Sequence, residues 1–474
     1  MSITRAPMTK AAWFIAAAVV LGHLATAGIY SYHRDEVYYL ASGRRLAWGY
    51  VDHPPITPLL YRVSDMLFGD SLLGLRVIPA LLHGSLVVLT VLIAREFRAD
   101  ARSQVVAALA SALVPIALTT GHFLATISPE LIAWTAISLL VIRLLNGGDP
   151  RLWMVLGAVI GIGLMAKWTT GYLLVGLAIG LLATKQRHIL ATWWLIAGVV
   201  IAAAIWLPNV VWQAQHGWPQ FAVASGLRNH TDALLTAPYL LVILGSASII
   251  LAVPGVLWLA RNPAGQPYRA FAIAFAVIVV LVMATGGKPY YAAVIAPVLF
   301  AAGAVAIARV STAIIAVLIA TSLAIAPFAM PLLPTSTADA VTKPNQEIGE
   351  MLGWPQLVDT VERVYDVHPD STIFASNYSE AGIVQLLGRD RSLPQPISGH
   401  TTYWYWGHPS GRSTETIAIG FRRQELERYW GDVELAATFH APDGMHNKEN
   451  GAHIWICRDQ RVDWAKLWPH IRRT

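Results

Sequence analysis

Long apolar segments fill the first 330 residues, and they restrict the possible folds of this chain more than any other feature. A helix needs about 20 mostly apolar residues to cross the hydrocarbon core of a bilayer, where its backbone must satisfy its own hydrogen bonds. The 474 residues are 55% hydrophobic and 13% charged, with a mean hydropathy of +0.51. Soluble globular domains contain about 25% charged residues. The composition therefore excludes an ordinary soluble protein.

The hydropathy pattern predicts eleven membrane-spanning helices. They lie near residues 11–30, 72–94, 103–121, 129–145, 152–167, 169–184, 190–212, 236–259, 270–286, 290–308 and 311–330. The connections at 167–170 and 286–289 are very short, so a re-entrant pair of helices fits the pattern equally well at either place. The first apolar segment is too long for the core of a cleaved signal peptide, and more spans follow it. We interpret it as a retained signal anchor.

Charge alternates along this series of segments, as the positive-inside rule requires. Residues 1–330 contain 20 Lys and Arg and ten Asp and Glu. If the N-terminus is cytoplasmic, twelve of these bases fall in cytoplasmic connections and seven of the acids fall on the opposite side. An odd number of spans then places residues 331–474 outside the cytoplasm. The pattern predicts a multi-pass protein of the cytoplasmic (inner) membrane.

The last third of the chain has the pattern of a water-soluble domain. Residues 331–474 contain 14 Lys and Arg and 18 Asp and Glu. Alternating apolar residues predict strands at 371–376, 416–421 and 453–457, and a helix is predicted at 379–387. We expect an α-helical polytopic membrane body at 1–330 and an extracytoplasmic α/β domain at 331–474.

Charge and cysteine content exclude several functions. The formal net charge is +6 and the pI is near 9.4, but the surplus of positive charge lies entirely within the apolar body. Basic loops between apolar segments are better explained as topology signals than as a nucleic-acid footprint. Cys457 is the single cysteine. It has no partner for an intrachain disulfide, and no cysteine pair exists to hold zinc or an iron–sulfur cluster.

The predicted first outer loop, residues 31–71, concentrates the groups most suited to catalysis. Asp35, Glu36, Asp52 and His53 lie there among aromatic residues and paired prolines. A carboxylate at a membrane surface can act as a general base or bind a metal. On residue type alone a structural explanation is equally ordinary, because Asp35 suits a helix N-cap and Asp52 precedes a turn.

Several motifs of this chain resemble those of the membrane glycosyltransferases of family 39, which use polyprenyl-phosphate sugars. This family includes the protein O-mannosyltransferases and the bacterial lipid A aminoarabinose transferases. The matching motifs are Asp35-Glu36-Val37-Tyr38-Tyr39, Gly49-Tyr50-Val51-Asp52-His53-Pro54-Pro55, Gly163-Leu164-Met165-Ala166-Lys167, Gly287-Lys288-Pro289-Tyr290-Tyr291, Asn377-Tyr378-Ser379-Glu380-Ala381-Gly382 and Ser398-Gly399-His400-Thr401-Thr402-Tyr403-Trp404. Their order and their predicted placement on one membrane face extend the resemblance over nearly the whole chain.

The resemblance implies a GT-C fold with an active site at the outer leaflet. The donor would be a sugar on a polyprenyl phosphate, and the products would be an inverted glycoside and free polyprenyl phosphate. The acceptor would be lipid A or another glycolipid, a cell-wall polysaccharide, or a protein. The expected partners are thus the bilayer, the lipid-linked donor and one of these acceptors, with no nucleic acid among them.

For the first outer loop the resemblance implies specific roles. Asp35 matches the catalytic base, which takes a proton from the acceptor hydroxyl. Glu36 would orient the acceptor or shift the pKa of Asp35 through like-charge coupling. Asp52 aligns with an acidic position near the donor or a metal. His53 stands where the aminoarabinose transferases have a lysine, so it would contact the donor phosphate or ligate a metal.

Two lysines at predicted outer helix ends suggest a phosphate site. Lys167 matches the family's lysine that contacts the lipid phosphate, and Lys288 precedes Tyr290 and Tyr291. A phosphate needs a cation and hydroxyl donors at the headgroup level. Snorkelling lysines and belt tyrosines at the interface explain the same pattern structurally. Arg228, in a predicted outer loop, is a further candidate phosphate contact.

The remaining candidates line the expected site. Glu130 is an ionisable group at the outer start of a span, and such groups are functional candidates. It also fits a purely structural role beside a Ser128 cap and Pro129. Tyr38, His400, Tyr403 and Trp404 are predicted to line the acceptor path or the active site. Asp52, His53 and Glu130 would form a divalent-metal site if they converge.

The sequence therefore predicts an inverting, polyprenyl-phosphate-sugar-dependent glycosyltransferase. A transporter or flippase for a lipid-linked sugar is the first alternative, and a non-catalytic membrane scaffold is the second. Transporters usually have paired repeats and charges within spans, and neither feature is evident in this sequence. Asp35 and Glu36 argue against a scaffold.

Overall fold

The computed structural model of the chain describes residues 6–228, 236–307, 312–343, 345–441 and 447–474. Its residues form two compact units. The first, the helical unit, comprises Met1–Ala27, His53–Thr57 and Arg76–Met330. The second, the sheet unit, comprises Gly28–Asp52, Pro58–Leu75 and Pro331–Thr474.

The helical unit consists of long apolar helices joined by short connections. Its helices are α1 (Lys10–Thr26), α4 (Leu72–Glu96, whose first turn belongs to the sheet unit), α5 (Ala101–Leu113), α6 (Pro115–His122), α7 (Ile127–Leu145), α8 (Leu152–Ala166), α9 (Thr170–Leu182), α10 (Trp193–Gln215), α11 (Pro219–Arg228), α12 (Thr236–Leu244), α13 (Val253–Arg261), α14 (Arg269–Thr285), α15 (Ala296–Ala306) and α16 (Thr312–Ile325). A 3-10 helix at Pro289–Ile295 leads into α15.

Every predicted apolar segment contains helix, but the helices differ in how completely they can span a bilayer. Among the described residues, five are long and apolar enough to cross a membrane. Two further pairs are bent, α5 with α6 by 58° and α12 with α13 by 99°. Four apolar helices are shorter, with 10–17 residues. The protein is thus a multi-pass membrane protein, and the count of eleven complete spans stays a prediction.

Small residues let these helices approach one another closely. A Cβ added at Gly157 on α8 would lie 2.1 Å from the Gly198 carbonyl oxygen on α10. A Cβ at Gly180 on α9 would lie 2.3 Å from the Ala270 carbonyl oxygen on α14. In lipid, where apolar helices gain little by leaving the hydrocarbon, such close packing is a main source of association. These glycines therefore fix which helices pair.

We predict that Gly157→Ala lowers the apparent unfolding temperature of the purified protein in detergent. The added methyl group has no space against α10, and overpacking of this kind costs roughly 1–3 kcal/mol. Gly171→Ala is the matched control, because a Cβ at Gly171 on α9 meets nothing within 4 Å. An equal temperature shift in both variants would contradict the proposed α8–α10 contact.

The sheet unit contains a five-stranded mixed sheet. Its strands are β1 (Thr372–Ala375), β2 (Ile397–Ser398), β3 (Glu415–Ile419), β4 (Trp430–Thr438) and β5 (His453–Gln460), in the order β2-β1-β3-β5-β4. β1 pairs in parallel with β2 and β3, whereas β5 is antiparallel to β3 and β4. Large aromatic side chains, including Trp430, Trp455, Trp464 and Trp468, pack in its core.

The helices of the sheet unit come from two parts of the chain, the first predicted outer loop and the C-terminal region. They are α2 (Arg34–Gly43), α3 (Ile56–Phe68, which begins in the helical unit), α17 (Asp339–Thr342), α18 (Gln346–Gly349), α19 (Trp354–Val367), α20 (Tyr378–Leu387), α21 (Arg423–Leu426) and α22 (Trp464–Leu467). α2 packs on α20, where a Cβ at Gly382 would lie 2.8 Å from Val37 Cγ2. The strands predicted near 371–376, 416–421 and 453–457 and the helix near 379–387 form close to those positions.

The division into units adds a feature to the expected organisation. The helical unit ends at Met330 and the sheet unit resumes at Pro331, but most of the first predicted outer loop also belongs to the sheet unit. The hydropathy pattern carries no information on this grouping, since it arises from packing such as that of α2 on α20. The loop that contains Asp35 is therefore folded together with the C-terminal strands.

Candidate active site

Asp35 lies in the first turn of α2, and its side chain does not cap the helix. His33 is the N-cap, and its Nδ1 accepts a hydrogen bond from the Asp35 N–H at 3.1 Å. Glu36 completes the capping box, since its Oε2 accepts from the His33 N–H at 2.7 Å. Asp35 is therefore not the N-cap of α2, and His33 and Glu36 cap the helix instead. The helix N-terminus favours negative charge at Asp35.

Tyr378, at the start of α20, orients the Asp35 carboxylate. Its hydroxyl donates a hydrogen bond of 2.8 Å to Asp35 Oδ1. Burial, and then the charge of Asp35, hold the pKa of Tyr378 well above its usual range, so the phenol keeps its proton at neutral pH. The guanidinium of Arg34 lies 5.1 Å from the centre of the same ring. Asp35 is partly exposed and held in place by a neutral donor.

Asp52 is held in the same way by Tyr38. The Tyr38 hydroxyl lies 2.7 Å from Asp52 Oδ1 and 2.8 Å from Thr402 Oγ1. Tyr38 is almost completely buried, and burial followed by the charge of Asp52 raises its pKa well above the usual value. The Tyr38 and Tyr378 rings are 4.7 Å apart. Tyr38 therefore supports Asp52, and its role in lining the active site stays a prediction.

The three aromatic candidates of the C-terminal region have different surroundings. His400 stacks on Tyr378 at 5.1 Å, and its Nδ1 accepts from the Tyr378 N–H at 3.3 Å. Tyr403 is buried and donates to Gln385 Oε1 at 3.0 Å. Trp404 donates to the Trp468 carbonyl oxygen at 2.9 Å. His400 thus belongs to the Asp35 cluster, whereas the Trp404 indole N–H is engaged with the C-terminal segment.

The helical unit brings together the residues predicted to bind phosphate. The Lys167 ammonium, at the C-terminus of α8, lies 5.0 Å from the centre of the Tyr290 ring and 4.4 Å from that of Tyr291. Lys288 lies 5.9 Å from the Tyr290 ring. Lys167 Nζ is buried and makes no hydrogen bond within the part of the chain that the structure describes. The faces of two aromatic rings stabilise its charge.

Glu130 supplies the carboxylate of this cluster. It lies in the first turn of α7, its side chain is 0% exposed, and its Oε2 is 3.5 Å from Lys167 Nζ. Thr169 Oγ1 donates a hydrogen bond to Glu130 Oε1. The predicted Ser128 cap is wrong, because α7 begins at Ile127 and the Ser128 hydroxyl donates to the Thr120 carbonyl oxygen instead. Glu130 is an ion-pair partner of Lys167.

The other two candidate phosphate contacts are His53 and Arg228. His53 is buried, and its Nδ1 contacts the Pro54 carbonyl oxygen at 3.1 Å. Arg228 ends α11, and its side chain lies outside the described residues.

The described residues give no support for the predicted metal site. Among them there is no group of three or more His, Cys, Asp or Glu side chains that could hold a metal ion. Asp52 contacts Tyr38, while Glu130 contacts Thr169 and Lys167. A metal shared by Asp52, His53 and Glu130 stays a prediction.

Sequence reasoning missed three supporting residues. Tyr378 is 343 positions from the aspartate it contacts, and Thr402 is 364 positions from Tyr38. Both lie in motifs that carry the family resemblance, but their hydroxyl partners depend on tertiary packing. Thr169 follows Lys167 closely and gives no separate signal in the sequence.

One segment of the chain is similar in sequence to known glycosyltransferases. Residues 52–212 match the family described as dolichyl-phosphate-mannose-protein mannosyltransferase. It is 30% identical over 168 residues to undecaprenyl phosphate-alpha-4-amino-4-deoxy-L-arabinose arabinosyl transferase 1 of Pseudomonas fluorescens. That alignment covers 34% of this chain and 30% of the curated relative.

Solved structures share the architecture over most of the chain. ArnT from Cupriavidus metallidurans bound to undecaprenyl phosphate matches with a TM-score of 0.64 and 14% identity, covering 94% of this chain and 98% of that one. The archaeal oligosaccharyltransferase AglB from Archaeoglobus fulgidus, in complex with an inhibitory peptide and a dolichol-phosphate, matches with a TM-score of 0.51 and 15% identity. It covers 82% of this chain and 64% of that one. The GT-C fold is thereby established.

We predict that Lys167→Met destabilises the protein by roughly 3 kcal/mol, because it leaves the buried Glu130 carboxylate without its counter-charge. The double variant Lys167→Met with Glu130→Gln should recover most of this loss, since no buried charge then remains. Apparent unfolding temperatures of the three proteins in detergent test the pair. Equal losses in the single and double variants would show that the two charges are not coupled.

His400 predicts a pH dependence of stability. Burial, and then the positive charges of Arg34 and Arg473, lower the pKa of His400 to about 4. In the unfolded chain a histidine has a pKa of about 6.5, so between about pH 6.5 and pH 4 the unfolded state binds a proton at His400 that the folded state does not bind. The free energy of unfolding therefore falls as the pH is lowered over this range. His400→Asn, which keeps an acceptor for the Tyr378 N–H, should lose less stability over this range than wild type. The exposed His408 provides the control variant His408→Asn, which should behave like wild type.

Proposed function

We propose that this protein is an inverting glycosyltransferase that transfers a sugar from a polyprenyl-phosphate donor to an acceptor hydroxyl. The alternation of charge along the chain supports a site at the outer face of the cytoplasmic membrane, with the N-terminus inside. The acceptor is a glycolipid, a cell-wall polysaccharide or a protein, and the experiment below distinguishes these classes.

The observation that carries this proposal is the state of Lys167. A buried ammonium group that makes no hydrogen bond within the described residues retains donors for an incoming anion. The rings of Tyr290 and Tyr291 stabilise its charge without using those donors. A phosphate at the headgroup level, with Lys288 as a second cation, satisfies the group through charge-assisted hydrogen bonds.

Asp35 performs the proton transfer in the proposed reaction. Its carboxylate takes the proton of the acceptor hydroxyl as the acceptor oxygen attacks the anomeric carbon of the sugar. The bond between the anomeric carbon and the phosphate oxygen breaks, and its electron pair leaves with polyprenyl phosphate. Attack opposite the leaving group inverts the anomeric configuration. Phosphate is a good leaving group, so no partner acid is required.

The neighbours of Asp35 serve to position it. Tyr378 donates to one carboxylate oxygen, which leaves the other available to the acceptor. Glu36 is completely buried within the capping box, so we assign it a positioning role and no contact with the acceptor. The Tyr38–Asp52 pair fixes a second carboxylate in the sheet unit.

We expect Asp35→Asn to reduce sugar transfer at least about 100-fold, because general bases contribute about 10²–10⁴-fold to rates. Tyr378→Phe should reduce it roughly tenfold, since the loss of one hydrogen bond to a charged group costs about 1.5–3 kcal/mol at most. Tyr429→Phe is the matched control and should retain full activity, because Tyr429 is a half-buried tyrosine that packs against the core of the sheet unit.

The measurement is transfer of radiolabelled sugar from membrane-extracted polyprenyl-phosphate sugars into lipid, polysaccharide and protein fractions, at equal expression of each variant. Label found in a single fraction with wild type, and lost with Asp35→Asn, identifies the acceptor class. If the label is the same with wild type and Asp35→Asn, or absent from every fraction, the transferase is refuted. A labelled donor that crosses the membrane unchanged would instead identify a transporter.

A further inference from the structure

In the proposed reaction the Lys167 site must bind a donor and release a product that carry different charges. The donor is a phosphodiester with one negative charge, whereas the released polyprenyl phosphate is a monoester. The second pKa of phosphate monoesters is about 6, so at neutral pH the product carries a charge close to −2. A site built only of cations would hold the product more tightly than the donor and would slow turnover.

Glu130 places a carboxylate within this site. Its carboxylate is completely buried on α7 and lies 3.5 Å from Lys167 Nζ, on the cation that the phosphate is proposed to contact. Thr169 holds its other oxygen through a hydrogen bond. A carboxylate in this position repels a phosphate in proportion to the charge of that phosphate, and the repulsion is strong where water is excluded. It therefore penalises a dianion about twice as much as a monoanion.

Lys167 can contact Glu130 and a phosphate at the same time. Lys167 Nζ and Glu130 Oε2 are 3.5 Å apart, so this contact uses at most one of the three ammonium donors and the others can bind an anion while Glu130 stays in place. The Tyr290 and Tyr291 rings contribute no formal charge and do not distinguish a dianion from a monoanion. Glu130 is the one carboxylate found within ion-pair distance of Lys167 in the described residues.

We propose that Glu130 weakens the preference of the Lys167 site for the dianionic product over the monoanionic donor, and thereby promotes product release. Glu130 is on this view a specificity-determining and positioning residue that contacts Lys167. The inference rests on the proposed lipid-phosphate chemistry, but its direct test requires no sugar transfer.

Binding of two short-chain probes to the purified full-length protein tests the inference. Farnesyl phosphate is a dianion at pH 8, and its methyl ester is a monoanion with nearly the same shape. We expect wild type to bind the monoester no more than about twofold more tightly than the methyl ester. Glu130→Gln, which keeps the shape and removes the charge, should bind the monoester at least about tenfold more tightly than the methyl ester.

Two further variants control for structural effects. Glu96→Gln removes another buried carboxylate of the helical unit, which pairs with Arg143 at 3.1 Å. It should leave the ratio of the two affinities at the wild-type value. Glu130→Asp retains the charge and should also keep the wild-type ratio. This variant tests the inference even if Glu130→Gln is poorly folded, because a ratio that changes with Glu130→Asp as much as with Glu130→Gln overturns it.

The outcomes separate this inference from the proposed function. An unchanged ratio in Glu130→Gln, an equal loss of affinity for both probes, or no binding of either probe to wild type overturns the inference. If the ratio changes as expected but wild type transfers no sugar, the proposed function fails while the charge selection stands. In an active enzyme, Glu130→Gln should lower the Ki of polyprenyl phosphate at least about fivefold more than the KM of the donor.

Discussion

The need to satisfy every backbone hydrogen bond within the hydrocarbon governs this protein. It forces the apolar segments within residues 1–330 into helices, and it leaves polar chemistry to helix ends and to connections, where water or protein partners are available. Asp35 and Glu130 accordingly lie in the first turns of α2 and α7, and Lys167 follows the last turn of α8. The same constraint makes close contact between small residues, such as Gly157 and Gly198, a source of helix association.

The carboxylates of Asp35 and Asp52 and the ammonium group of Lys167 are held by different kinds of partner. In the sheet unit, neutral phenols hold the carboxylates of Asp35 and Asp52, so each is oriented by a partner without formal charge. In the helical unit, two aromatic faces and one carboxylate hold the Lys167 ammonium, so its charge is balanced while its hydrogen-bond donors are retained. A base needs its charge to accept a proton, and an anion site needs its donors to bind phosphate. The surroundings of each group suit those needs.

Much of the fold could be predicted from the sequence, because apolar length and alternating charge act locally. The strand near 371–376 and the helix near 379–387 were also evident from short-range patterns. Contacts between distant parts of the chain could not be predicted in this way. Ser128 does not cap α7, because its hydroxyl donates to the Thr120 carbonyl oxygen. The indole N–H of Trp404 donates to the Trp468 carbonyl oxygen, a contact that no local pattern indicates.

The sequence by itself determined that this is a membrane protein, which apolar segments form helices, and which residue types are available for acid–base and phosphate chemistry. Those properties follow from composition and local periodicity. Only the tertiary structure decided that Tyr378 orients Asp35, that Glu130 pairs with Lys167, and that Glu36 belongs to a capping box. The physical reason is that each of these roles depends on the partner and burial of a side chain. In two of the three cases that partner comes from a different helix.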